Sequence, residues 1–466
     1  MAQEKPDGRP RPSGPWTDRV SFADGAGFAY VPGSVLTTDP EGLTAVARRL
    51  WEKDRVRTGR TLGPFTEIAG VRDPLVLARE ARLAGIVAQP DHVFFAHCEP
   101  CCPPHPAASC GGGAGANPVY ATPVYATPVY ATPVYATPVY ATPVYATPVY
   151  ATDVHASPVY ATPVYATTAS PARASGVRRS SARPAPEGVD TTSATEAFGV
   201  VAEGPPRVIV LDTGFAGTDA PGALSTTTVR PASAADVDAP DEDGNGFLDP
   251  ASGHGTFIAG LVQQVAPGTE VVVHRVLSTM GDGAESNIVQ CLADLEVPDP
   301  QRTIVSLSFG GFALEQAFAL EWAVRRLQAM GVVVVASAGN DGSCRPTFPA
   351  AFPGVVSVGA VGPYGPAPFS NYGPWVRACA PGVDLLSTFF DGYDGKEPPG
   401  DRGVDTDKFD GWALWSGTSF SAPVVAGALA RTIAGEKCTA TDAVKRVVDE
   451  PALMRIPNLG TVVNVI

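Results

Sequence analysis

Charge is scarce in this sequence: only 17% of its 466 residues are Asp, Glu, Lys or Arg. Positive charge is scarcer still. There are 33 Lys and Arg against 47 Asp and Glu, a formal net charge of −14. That balance argues against nucleic acid as the main partner, because a phosphate backbone requires a basic face. Long apolar runs are also missing. "VVVVASAG" (332–339) has the length of a strand, far short of the roughly 20 residues that a membrane-spanning helix needs. The first residues, "MAQEKPDGRPRPSGPW", contain no apolar segment of the signal-peptide kind. The expectation is a protein without a membrane span that stays in the cytoplasm, or one exported by a route not readable here.

What is present is a chain long enough for two or three domains. Hydrophobic residues make up 44%, enough for a large core, while 49 Gly and 47 Pro point to loops, turns and at least one unstructured tract. Cys98, Cys101, Cys102 and Cys110 crowd one segment, and Cys291, Cys344, Cys379 and Cys438 are scattered. The scattered four fit the role of small packed hydrophobes. A Cys344–Cys379 disulfide is compatible with the sequence but not required by it.

Composition divides the chain into four parts. Residues 1–27 are polar and Pro/Gly-rich, as in a flexible tail. Residues 28–97 read as a small α+β domain. A strand, "FAYVPGSVLTT", leads into a helix capped by Asp39 with Pro40 in its first turn. Asp73 and Pro74 repeat the device for a second helix stopped by Gly85, and "IVAQPDHVFF" closes with a strand. Residues 98–204 read as linker. Its first part, with His97 and His105 beside the four cysteines, allows either zinc ligation or a loose, disulfide-linked connector. Its middle repeats PVYAT nine times between Pro118 and Thr167, with one variant unit, "DVHAS". A five-residue period builds no apolar face on a strand or a polyproline rod. The tract therefore reads as a disordered, extended spacer of up to roughly 150 Å, or as a tyrosine ladder for a partner. Arg173, Arg178, Arg179 and Arg183 follow, as a cleavage site or as solvated charge.

Residues 205–466 have a different texture. "RVIVLDTG", "TEVVVHRVL", "TIVSLSFGG" and "VVVVASAGN" are apolar runs typical of strands buried on both faces. Helical patterns at 257–265, 286–295 and 314–330 alternate with them, as in a doubly wound α/β fold with a mostly parallel sheet. Functional groups then gather at the strand ends. Asp212 ends a strand, His254 opens a helix in "GHGTFIAG", and Ser419 opens another in "SGTSFSAP". A serine nucleophile needs a base, and the base needs a carboxylate to fix its tautomer.

In this order, "VIVLDTG", "GHGTFIAG", "SAGN" and "GTSFSAP" resemble the motifs of the subtilisin-like serine proteases, the subtilases, with mycosin-like variants at Phe257 and Phe420. "FSNYGPW", "CAPGVDLLST" and the ending "IPNLGTVVNVI" extend the resemblance over residues 205–466. It implies a serine endopeptidase in which Ser419 attacks, His254 is general base, Asp212 orients His254, and Asn340 donates to the oxyanion. It places Ser308, Phe309 and Gly310 on the wall of the first specificity pocket, and Gly281, Asp282 and Gly283 on the strand that pairs with a peptide or protein substrate. The loop "GSCRPTFPAAFPG" is shorter than its family counterpart, so the resemblance does not fix the pocket floor. Glu285 falls at a distal pocket, as a site for a basic side chain or as an exposed surface charge. The chemistry requires no cofactor. Asp241, Asp243, Asn245 and Asp249 in "DEDGNGFLD" suit a structural calcium ion or a solvated acidic turn; the Asp-rich stretch 391–410 is a weaker candidate of the same kind.

Residues 28–97 resemble a subtilase propeptide, an intramolecular partner that chaperones and inhibits, which implies a zymogen. The competing readings are a pseudo-protease that binds peptides without cutting, and an interaction protein whose business end is the repeat.

Overall fold

The computed structural model describes residues 20–23, 27–51, 56–97, 182–185, 204–217, 228–313, 316–395, 408–450 and 452–463. The PVYAT tract and Cys98, Cys101, Cys102, His105 and Cys110 lie outside them. So do Arg173, Arg178 and Arg179.

The N-terminal unit is an antiparallel sheet with two helices on one face. Its strands are β1 (Ser21–Ala23), β2 (Phe28–Thr37), β3 (Arg57–Leu62), β4 (Phe65–Ala69) and β5 (Ala88–Ala96). β5 and β4 flank β2, and β3 pairs with β4. Helix α1 (Pro40–Leu50) starts where Asp39 Oδ1 accepts from Gly42 N–H. Helix α2 (Pro74–Leu83) starts where Asp73 Oδ1 accepts from the N–H groups of Leu75 and Val76. Both follow the expected Asp–Pro signal. Gly85, at φ +79°, turns the chain out of α2. Val35, Leu43, Ala47, Ile68, Leu77 and Ala81 form the core between helices and sheet.

Two boundaries differ from expectation. The N-terminal unit includes residues before 28, because β1 pairs with β2 and Val20 and Ala23 are buried. Val20 packs with Val93 and Phe95, and Ala23 with Phe28 and Phe312. The span 98–204 also contributes a strand. β6 (Arg183–Pro184) adds to the C-terminal unit beside the buried Ala182. Arg183, expected to be a solvated or cleavable site, pairs with Asp384 at 2.5 Å on the surface.

The C-terminal unit is the expected α/β sheet. Its strands in chain order are β7 (Arg207–Asp212), β8 (Val229–Pro231), β9 (Glu270–Arg275), β10 (Asp282–Ala284), β11 (Thr303–Leu307), β12 (Phe309–Gly310), β13 (Val333–Ser337), β14 (Val356–Gly362), β15 (Gly365–Pro366), β16 (Ala378–Pro381), β17 (Leu385–Asp394), β18 (Lys408–Trp415), β19 (Arg455–Ile456) and β20 (Gly460–Val462). The central order is β19-β20-β16-β14-β13-β11-β7-β9-β8, parallel from β20 to β8. β17 and β18 form a separate antiparallel ribbon, in which Asp391 pairs with Asp410.

Helices α3 (His254–Val265) and α6 (Thr418–Glu436) pack together, as do α4 (Glu285–Asp294) and α5 (Phe318–Ala329), and β13 touches a helix of each pair. A five-residue helix, α7 (Ala440–Val444), follows α6. After β7 the chain first adds strands on one side, β9 and β8, and then on the other, from β11 outward. The carboxyl ends of β7, β11 and β13 therefore meet at the switch in strand order, where a crevice opens. Among the described residues no helix is long and apolar enough to cross a membrane.

Candidate active site

Asp212 is the last residue of β7 and His254 the first of α3. The helix can come this close because Gly255 has no side chain. A Cβ there would lie 2.1 Å from the Gly214 carbonyl oxygen. His254 Nδ1 donates to Asp212 Oδ1 at 2.7 Å, both side chains fully buried. Thr213 N–H donates to the same oxygen at 2.8 Å. Behind them, buried Asp238 accepts from Thr213 Oγ1 (2.7 Å) and Gly253 N–H (2.9 Å), tying the end of β7 to the start of α3. Burial pushes the Asp238 carboxyl up to about 7, against the pull of those hydrogen bonds.

The imidazole sits in an aromatic box. Trp415 meets it edge-on at 5.4 Å, and Phe420 lies 5.1 Å away. Phe257 closes the group against both rings. The two phenylalanines that depart from the family pattern thus pack as walls around His254. Trp415 was missed although it directly precedes the serine motif, because its contact is with a ring at the start of α3, far off in sequence.

Ser419 is the second residue of α6. Pro423, four residues on, has no N–H, so the Ser419 carbonyl lacks its helical donor. Ser308 Oγ supplies one, donating to Ser419 O at 2.8 Å, while Ser419 Oγ donates back to Ser308 O at 2.8 Å. The serine hydroxyl is therefore directed at Ser308. Among the described residues, His254 Nε2 and Asp212 Oδ2 have no hydrogen-bond partner.

Asn340 follows β13. Its side-chain oxygen accepts from Thr418 N–H (3.0 Å) and Thr418 Oγ1 (2.8 Å), which fixes the amide so that Nδ2 points into the crevice. There it donates to the carbonyl oxygen of His97 at 2.7 Å. The backbone N–H of Ser419 donates to the same oxygen at 3.2 Å.

The end of the N-terminal unit thus lies in the crevice. β5 runs antiparallel to β10, with Asp282 opposite Phe95, Gly283 opposite Phe94 and Ala284 opposite Val93. It also runs antiparallel to β12, with Phe309 opposite Ala96 and Gly310 opposite Phe95. Ala96 N–H donates to Gly281 O, and His97 N–H donates to Ser308 O. Gly281, Asp282, Gly283, Ser308, Phe309 and Gly310 are all brought to one extended strand. His97 Nδ1 lies 2.7 Å from Ser337 Oγ; the cysteines and His105 of the expected zinc site lie outside the described residues.

Other expectations need correction. Glu285 is fully buried, not an exposed surface charge. It accepts from His92 Nδ1 (2.7 Å), Gln89 Nε2 (2.6 Å) and Leu320 N–H (2.9 Å). Beside it Asp91 accepts from Ser286 N–H at 2.9 Å, and burial raises its carboxyl to about 6. Cys344 is disulfide-bonded, but not to Cys379, which is a free thiol; burial pushes that thiol up to about 12.

In the acidic turn, carboxylate oxygens of Asp241, Asp243 and Asp249 lie within 4.8 Å of one another. Burial raises Asp249 to about 6, and nearby Asp243 and Asp241 add to it. Converging like charges of this kind suit a hard divalent cation. Asn245 lies beside them in the same turn. Its side-chain oxygen accepts from Phe247 N–H, and its amide donates to Asp243.

The Subtilase family model matches residues 206–452. The thermophilic serine proteinase of Bacillus sp. (strain AK1) is 36% identical over 185 residues, 37% of this chain and 41% of that protein. The thermostable alkaline protease of Halalkalibacterium halodurans is 32% identical over 38% of this chain and 46% of its own length. This chain thus spans less than half the length of those two relatives. Subtilisin BL of Lederbergia lenta is 31% identical over 264 residues, 53% of this chain and 84% of that protein. A solved cold adapted subtilisin-like serine proteinase aligns with 24% identity and a TM-score of 0.42, over 61% of this chain and 95% of its own. With the family model covering more than half of its residues, the chain belongs to the subtilase family.

Proposed function

We propose that this chain is a serine endopeptidase held as a zymogen, with residues 20–97 as an inhibitory propeptide-like unit and the His97–Cys98 bond as its maturation site. One observation carries the reading: the His97 carbonyl oxygen accepts from both Asn340 Nδ2 and Ser419 N–H. Two donors on one carbonyl, beside a hydroxyl, are what a developing oxyanion requires.

The reaction follows from these positions. Ser419 Oγ turns from Ser308 O toward His254 Nε2 and loses its proton there. It attacks the carbonyl carbon held where His97 C lies. Negative charge moves onto the oxygen already bonded by Asn340 and Ser419 N–H. Asp212 holds the Nδ1 proton and stabilises the imidazolium. The C–N bond breaks as His254 returns the proton to the leaving amine, here that of Cys98. Water, deprotonated by His254, then hydrolyses the acyl ester. The aromatic box keeps bulk water from the imidazole and holds its plane. After cleavage the new His97 carboxylate remains in the same crevice, so the unit inhibits as a product.

Substrate enters as a strand between β10 and β12, the place taken by β5. Its backbone supplies affinity, and its side chains supply selectivity. Asp241, Asp243 and Asp249 would hold a structural calcium ion. Its role is to offset their repulsion and brace the turn before α3; no step of the reaction uses it.

A serine-directed fluorophosphonate probe tests the reading. Labelling of the wild-type chain that Ser419→Ala abolishes, with casein hydrolysis lost in the same variant, is the expected result. A folded wild-type chain that neither labels nor cleaves would overturn it in favour of a peptide-binding pseudo-protease.

A further inference from the structure

We infer that Ser337 tunes the first specificity pocket to histidine, so that the enzyme cleaves polypeptides on the carboxyl side of His. This deepens the peptidase reading above and rests on it.

The register of the bound strand is fixed by backbone bonds alone. Ala96 N–H reaches Gly281, Phe95 faces Gly310, and His97 N–H reaches Ser308. With the His97 carbonyl in the oxyanion position, its side chain is the one that enters the pocket beside the scissile bond. The pocket wall fits a ring. A Cβ placed on Gly310 would lie 2.6 Å from His97 Cε1 and 3.1 Å from Nε2. The imidazole therefore lies flush against the Gly310 backbone, and no side chain is tolerated there.

The ring's polar edge meets Ser337. β13 reads VVVAS, buried at every position, and Ser337 supplies its one side-chain hydroxyl. Ser337 Oγ lies 2.7 Å from His97 Nδ1. A fully buried hydroxyl without a partner is costly. The hydroxyl can donate to the ring nitrogen or accept from it, so either imidazole tautomer is paired. A Phe or Leu side chain in the same place leaves Ser337 unpaired. A site built around a hydrogen bond discriminates strongly against ligands that lack it, whereas a wholly apolar pocket does not.

The test uses the mature enzyme produced from the full chain, and peptides Val-Phe-Phe-Ala-X with a p-nitroanilide leaving group, X being His, Phe, Leu or Ala. The first four residues copy Val93–Ala96. For the wild type, kcat/KM for X = His should exceed that for X = Phe by about tenfold or more, the scale of one buried hydrogen bond. In Ser337→Ala the His:Phe ratio should fall to about one or below, since the apolar pocket has lost its reason to prefer a nitrogen. In a parallel arm, His97→Phe in the full chain should slow self-cleavage by a similar factor, and His97→Phe combined with Ser337→Ala should recover it. A wild type preferring Phe or Leu, or a His:Phe ratio unmoved by Ser337→Ala, would overturn the inference while leaving the peptidase reading intact. Fluorophosphonate labelling of Ser419 without turnover of any of the four peptides would also overturn it. Absence of both labelling and turnover would overturn the peptidase reading itself.

Discussion

The two units of this chain bury their strands by different means. In the C-terminal sheet β7, β11 and β13 have parallel neighbours on both sides, all from the same unit. Their apolar side chains join one large core. In the N-terminal unit β5 is shared. Its residues 88–93 pair with β2, while 93–96 pair with β10 and β12 of the other unit. Phe94 and Ala96 belong to the large core of the C-terminal unit rather than to their own. The C-terminal unit is thus complete by itself apart from a vacant strand position, and the N-terminal unit completes it. The inhibition proposed above needs no special chemistry from such a unit, because β5 is a strand that its own sheet has already ordered.

That contrast can be broken at several points. The largest effect is expected at Asn340, which serves bound strand and transition state alike. Asn340→Ala should lower kcat by about 10²–10³, a magnitude taken from the equivalent subtilisin residue rather than from this geometry. KM should move less, because the strand keeps its other backbone bonds. Gly310→Ala comes next. A methyl group 2.6 Å from the His97 ring blocks the pocket, so peptide kcat/KM should fall by about 10²-fold. Fluorophosphonate labelling, which needs little of the pocket, should fall less.

The interface between the units offers a third, smaller test, in pH. Asp91 is buried against Ser286 and raised from 3.8 to about 6, mainly by burial. A carboxyl whose docked value lies above its ordinary value favours the docked state fully below about pH 4. That contribution fades as pH rises through about 6. Inhibition of the mature enzyme by an added 20–97 fragment should therefore weaken by about tenfold or more across that window. Asp91→Asn should flatten the dependence, read as Ki against pH. The smallest effect concerns the tether. Deleting residues 118–167 should leave kcat/KM of the mature enzyme within about twofold, since the cut after His97 already separates the tract from the N-terminal unit, and before that cut linker length changes effective concentration only slowly. Loss of turnover in a folded deletion variant would contradict a spacer role.

The sequence made much of this legible, because the decisive signals are local. Asp–Pro caps announced α1 and α2, and apolar runs announced the parallel strands. Asp212, His254, Asn340 and Ser419 stand at strand and helix ends, where a linear reading can find them. What stayed hidden depends on residues far apart in sequence. Gln89, Asp91 and His92 look like solvent-facing residues of a strand. They are buried because Glu285, Ser286 and the amide of Phe318 cover them from the other unit. Of the two alternatives for Glu285, exposed charge fails for the same reason. His97 looked like a neighbour of cysteines, and only the paired strands show that its ring faces Ser337. A lone serine ending a valine run was the available clue to that pocket. Trp415 gave no clue at all, since its partner ring lies at the start of α3.

The central claim is that the chain cuts itself where its own strand enters the oxyanion site. Intact-mass analysis and N-terminal sequencing of the matured protein test it directly. A new N-terminus at Cys98, absent from Ser419→Ala, is the expected result. Removal of the N-terminal unit by a cut elsewhere, for example beside Arg183, or a wild-type chain that stays whole while active, would contradict it.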